Sequence, residues 1–215
     1  MRSFLFMFCL LITVSANAEI ELDQLSLHKV EASHVEFKGK SAIRVVEAAR
    51  TNEEDKVVIL PNSRMKNGSI SAYVSGGLNK EAGEGARGFV GIAFRIADDV
   101  STFEAIYLRP TNARAESQLR RNHSIQYISH PDFPWYRLRK ETPAKYESYA
   151  DMLPSEWIHY RLDVSGATAR LYLNNAPQPS LIVTDLKLGE KEGDVGLWIG
   201  PGTEAHFSNV SVKKK

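Results

Sequence analysis

Hydrophobic and polar residues alternate in short runs along most of the chain. Residues 69–75 place Ile70, Ala72 and Val74 on one side. Residues 89–96 group Val90, Ile92, Phe94 and Ile96, with Gly91, Ala93 and Arg95 opposite. Residues 103–109 set Glu104, Ile106 and Leu108 against Phe103, Ala105, Tyr107 and Arg109. Ile158, Tyr160, Leu162 and Val164 alternate in the same way, and after a Ser165-Gly166 turn so do Ala169, Leu171 and Leu173. Asn174-Asn175 marks the next turn, and 181–183, 194–199 and 205–212 supply further candidate strands. A two-residue period belongs to strands with one face in a core. Many such strands with turns between them predict an all-β sandwich or barrel. Regular βα alternation and internal repeats are absent from the sequence.

Two stretches break the pattern. Residues 79–88 are glycine-rich and charged, so they read as a loop; Gly83, Gly85 and Gly88 match a dinucleotide fingerprint only in spacing, without its strand–turn–helix setting. Residues 110–156 mix proline, aromatics and charge, and only 124–129 and 135–138 read as strands, with a turn over 151–156. A connection of that length needs a packing or functional reason. The expectation is an irregular insert that covers one face or rim of the sandwich.

The N-terminus carries a different signal. Arg2 precedes an apolar run over 4–14, and Ala16-Asn17-Ala18 follows. That order describes a secretory signal peptide over 1–18, leaving 19–215 as a single domain that is secreted or periplasmic. The run is shorter than the ~20 residues that span a bilayer, and no later segment is long and apolar enough. Cys9, the only cysteine, lies inside that leader, so the mature domain has no disulfide and no thiol nucleophile. Net charge is +1, which gives no general nucleic-acid footprint. No cofactor motif stands out, structural calcium is left open without selectable ligands, and oligomeric state is not readable.

Chemistry concentrates between residues 104 and 149. Arg95, Tyr107, Arg109 and Trp198 alternate away from the expected core and are candidates for an open sheet face. The insert adds Asn112, Arg121, Gln126, Tyr127, Trp135 and Arg139. Aromatic rings pack on sugar C–H faces, and Arg, Asn and Gln give directional hydrogen bonds, so this mixture suits an oligo- or polysaccharide, neutral or anionic. Catalysis would need a carboxylate pair or a histidine base, for which Glu104, Glu147 and His123 are the candidates. No nucleophile-elbow motif is present.

Three segments carry a resemblance. Gly88-Phe89-Val90-Gly91-Ile92-Ala93-Phe94-Arg95, Trp157 with Arg161-Leu162-Asp163-Val164, and Gly193-Asp194-Val195-Gly196-Leu197-Trp198 followed by Phe207-Ser208-Asn209-Val210 look like the concanavalin-like lectin/glucanase superfamily. They are similar to laminin-G-like domains and to bacterial sugar hydrolases with a 3-keto-disaccharide-hydrolase-like domain. The resemblance implies a two-sheet jelly-roll sandwich whose concave face or rim binds glycan, with Arg95, Tyr107, Arg109 and Trp198 at groove-facing positions. The Glu-x-Asp-x-x-Glu pattern of the classical glucanases is missing from this chain. Three functions therefore stand: an exported glycan-binding domain, a carbohydrate-active hydrolase or lyase, and a noncatalytic protein-binding or adhesion module.

Overall fold

A computed structural model describes residues 20–215; the expected leader over 1–18 lies outside the described residues. Two antiparallel seven-stranded sheets face each other. Sheet A runs in the order β1 (Ser26–His28), β4 (Lys56–Ile59), β13 (Asp194–Ile199), β6 (Val90–Ile96), β7 (Phe103–Leu108), β8 (Ile125–His130) and β9 (Glu147–Ser148). Sheet B runs β12 (Leu181–Val183), β11 (Thr168–Leu173), β10 (Ile158–Ser165), β5 (Gly68–Leu78), β14 (Thr203–Lys214), β3 (Lys40–Glu47) and β2 (Val30–Phe37). The predicted sandwich is therefore present.

The alternating positions explain the layers. Ile70, Ala72 and Val74 on β5, Ile158, Tyr160 and Leu162 on β10, and Ala169 and Leu171 on β11 point into the space between the sheets. They meet Val90, Ile92 and Phe94 on β6, Ile106 and Leu108 on β7, and Val195, Leu197 and Ile199 on β13. Full burial of one such side chain contributes roughly 1.5–3 kcal/mol. Tyr160 spans the layer and donates its hydroxyl to the Ile106 carbonyl at 2.9 Å. Sheet B leaves its other face polar, as the alternating burial of β10 shows. Sheet A does not. Val57, Ala93, Phe103, Ala105, Tyr107, Ile128 and Trp198 form a second apolar cluster on its outer face.

The insert differs from expectation in kind. Part of it is sheet: β8 and β9 complete the edge of sheet A beyond β7. The remainder includes three short helices, α1 (Pro110–Ala113), α2 (Gln118–Asn122) and α3 (Trp135–Glu141). Residues 135–138 are thus helical, not a strand. Pro134 at the helix boundary, and Arg139 and Lys140 in its last turn, suit that choice.

The second difference is a β-bulge. Asp194 pairs with Ile96, but Gly196 pairs with Ala93, so β6 holds one residue more than β13 across this step. Arg95 takes φ 55°, and the faces switch there. Ile96 joins Ala93 on the outer face, while Arg95 turns inward to Glu104. Gly193 permits the bend, since a Cβ there would lie 2.4 Å from the Arg95 carbonyl carbon.

Arg95, Glu104 and Tyr127 consequently belong to the interior. Arg95 Nη1 donates to Glu104 Oε2 at 3.0 Å, with both side chains essentially unexposed. Its other partners are the carbonyls of Gly166 and Gly189. Tyr127 donates to Glu104 Oε1 at 2.5 Å, and burial is the first cause that holds its hydroxyl protonated. The backbone N–H of Leu188 also donates to Glu104. These contacts tie β6, β7 and β8 to the 166–189 segment. Glu104→Gln leaves a buried guanidinium without its counter-charge and should cost about 3–5 kcal/mol. A urea-unfolding midpoint unchanged from the parent would contradict this role.

Candidate functional site

Beside the outer apolar cluster of sheet A lies a cleft of about 1010 Å³. Its floor is aromatic, with Trp198 and Tyr107 each only 2% exposed. Trp198 on β13 and Tyr107 on β7 are both register partners of Gly91 on the intervening β6. With no side chain between them, the two rings approach to 4.6 Å at 31°. A Cβ on Gly91 would sit 2.6 Å from Tyr107 Cα and Cβ. Phe89, just before β6, stands edge-on to Tyr107 at 5.9 Å. Trp198 Nε1 donates to the Glu54 carbonyl at 2.6 Å, which fixes the indole against the β3–β4 connection.

Arg109 projects from the end of β7. Its guanidinium lies 5.1 Å from the centre of Tyr107 and 5.4 Å from that of Trp135. It donates to the Tyr107 hydroxyl at 2.8 Å and to Gln126 Oε1 at 3.3 Å. Trp135 and Arg139 are four residues apart on α3, so they share one helix face. Arg139 stacks 4.9 Å over the Trp135 ring and donates to Glu147 Oε2 at 3.0 Å. The same carboxylate oxygen lies 2.7 Å from His123 Nδ1. Asn112 is buried and donates to the His123 carbonyl at 3.4 Å.

The titratable groups are pushed in different directions. Burial raises the Glu54 carboxyl above the usual carboxylate range, against the opposing pull of Arg109 and Lys56. Burial, then Arg139, lowers His123 below the ordinary imidazole value, against Glu147. The Tyr107 phenol is pushed up to about 12 by burial. An imidazole shifted down and a carboxyl shifted up therefore line one cleft.

The structure brings Tyr107, Arg109, Asn112, His123, Trp135, Arg139, Glu147 and Trp198 to this cleft. It does not bring Arg95, Glu104 or Tyr127, which the bulge and the strand alternation direct into the core. Gln126 is buried one layer behind, where it accepts from Arg109 and Arg139. Arg121 sits outside the lining and stacks on Tyr149 at 5.5 Å. Sequence reasoning passed over Glu54, Arg50 and Arg87. They lie in connections, where no periodicity marks a direction; Arg87 falls in the glycine-rich loop read only as flexible. Among the described residues, no group of three or more His, Cys, Asp or Glu could hold a metal ion, and no helix is long and apolar enough to cross a membrane.

No family model matches the chain, and no curated protein matches it in sequence. Solved structures do resemble it. Carbohydrate binding module CBM66 from Bacillus subtilis superposes with a TM-score of 0.56 at 13% identity, over 87% of this chain and 97% of that one. A Bacillus subtilis protein of unknown function with a galectin-like fold gives 0.56 at 12% identity, over 89% and 90%. The exoplasmic/lumenal domain of VIP36, in a Ca2+/Man3GlcNAc-bound form, gives 0.51 at 11% identity, over 91% and 85%. The chain has the concanavalin-like sandwich fold. Within that sandwich, the cleft of this protein lies on the outer face and rim of sheet A.

The buried histidines give a pH test. Burial lowers His123, His130 and His206 in the folded state. The unfolded chain then takes up protons more readily as pH falls past the ordinary imidazole value of ~6.5. Stability should be full above that value and decline as pH drops through it toward the folded values. Melting temperatures recorded from pH 8 to pH 5 should fall, and replacing all three histidines with glutamine should flatten the decline. An equally steep decline in that variant would remove the assignment.

Proposed function

We propose that this protein is an exported glycan-binding domain whose site is the cleft on sheet A. The carrying observation is the aromatic lining: Trp135 and Phe89 offer ring surface beside Arg109, and Tyr107 and Trp198, each only 2% exposed, back them. Rings of this kind pack against sugar C–H faces, and donors such as Arg109 and Arg139 orient hydroxyl or acidic groups. The carbohydrate-binding module and the saccharide-bound lumenal domain that share the fold support the reading. Export rests on the leader pattern over 1–18. Glycan-array screening, then titration of the best ligand, tests binding. Trp135 is partly exposed, so Trp135→Ala should preserve folding and weaken binding about three- to tenfold. Lys213→Ala at the far tail should leave affinity unchanged. Equal losses in both variants would sink the site assignment, and failure of every glycan would sink the function.

A second reading has an observation of its own. His123 and Glu147 lie 2.7 Å apart in the cleft, with Glu54 also in its lining. Burial lowers His123 and raises Glu54, the directions that suit a base taking a proton from water and an acid giving one to the leaving glycosidic oxygen. Product analysis of each bound glycan separates the readings. Turnover that His123→Gln and Glu54→Gln abolish, with binding retained, would establish a hydrolase or lyase. Binding without products would leave the domain noncatalytic.

A further inference from the structure

Five arginines line the cleft, and they are not balanced within it. Arg139 is engaged by Glu147 at 2.9 Å. Among the described residues, Arg50, Arg87, Arg109 and Arg120 have no carboxylate oxygen within 4.0 Å. Arg87 donates to the carbonyls of Glu84 and Ala86, and Arg120 to Asn112 Oδ1 at 3.3 Å. Arg109 has only the Tyr107 hydroxyl, the His123 carbonyl and Gln126 as hydrogen-bond partners.

The glutamates in the lining do little to offset this. Glu47 is buried against Lys56, 3.4 Å away, and accepts from the Gly202 N–H. Glu147 is already shared by Arg139 and His123. Glu54 and Glu81 remain, and burial shifts Glu54 toward its neutral form. Burial, with Arg120 and Arg109 as like-charged neighbours, also lowers the Arg87 guanidinium, as expected for cations crowded without a counter-ion.

We infer that the ligand is an anionic saccharide, whose uronate carboxylates or sulfates lie among Arg87, Arg109 and Arg120 while its pyranose face rests on Trp135 and Phe89. This rests on the glycan reading of the cleft. Guanidinium groups offer planar, paired N–H donors that match both oxyanions. The near-neutral whole-chain charge of +1 disfavours a long phosphate backbone as ligand, because it gives no general cationic footprint for one.

Isothermal titration at physiological ionic strength tests the inference, using polygalacturonate, dextran sulfate, neutral dextran and oligothymidylate beside the neutral glycans of the array. One or both acidic polysaccharides should bind, and the neutral ones should bind far more weakly. Arg87→Gln with Arg120→Gln should raise Kd about tenfold or more. A Lys213→Gln, Lys214→Gln, Lys215→Gln variant should match the parent, and circular dichroism should show all variants folded. Neutral glycans binding as tightly as acidic ones would overturn the charge assignment and leave the glycan reading intact. So would acidic binding that ignores the two arginines, or a preference for oligothymidylate. Absence of binding to every saccharide would bring down both.

Discussion

The central strands of sheet A are buried on both faces, and the rest of the molecule is arranged around that constraint. All residues of β6 and β7 are buried, in contrast to the in-and-out burial of β10 in sheet B. Burial of the inner face makes the sandwich. Burial of the outer face demands cover, because an apolar patch of that size left open would invite association. The cleft lies beside that outer surface, with Tyr107 and Trp198 buried at its base. One sheet thus serves as half of a core and as the base of a cleft, and the second arrangement follows from how it is roofed.

The strand pattern was legible wherever a single face is buried. The inward set of β5, β10 and β11 follows the period of two without exception between residues 158 and 164 and between 169 and 173. It failed at Arg95, because an extra residue in β6 reverses every direction after it, and no composition signal marks the bulge. Gly193 is its partner in the structure, but from sequence it reads as an ordinary strand entry. Residues 135–138 misread for a related reason. Four residues carry too few periods to separate strand from helix, whereas the Trp135 and Arg139 spacing shows its meaning only once the helix exists.

The site was legible in part. Tyr107, Arg109 and Trp198 could be placed because strand alternation gives each a side. His123 and Glu147 could be named only as chemistry, since the 23 intervening positions include β8 and α3, whose folding brings the two back together. Arg50, Glu54 and Arg87 were beyond reach. Their positions follow from how the β3–β4 and β5–β6 connections fold over the sheet, and side-chain direction in a connection has no period to read.

Gly91 carries more than its lack of atoms suggests. Position 91 acts as a molecular slot, and its width governs whether two rings on neighbouring strands behave as one slab. A larger residue there would enter between the two rings and force them apart. A single substitution at this position would thus change the spacing of the two rings and leave the rings themselves unchanged.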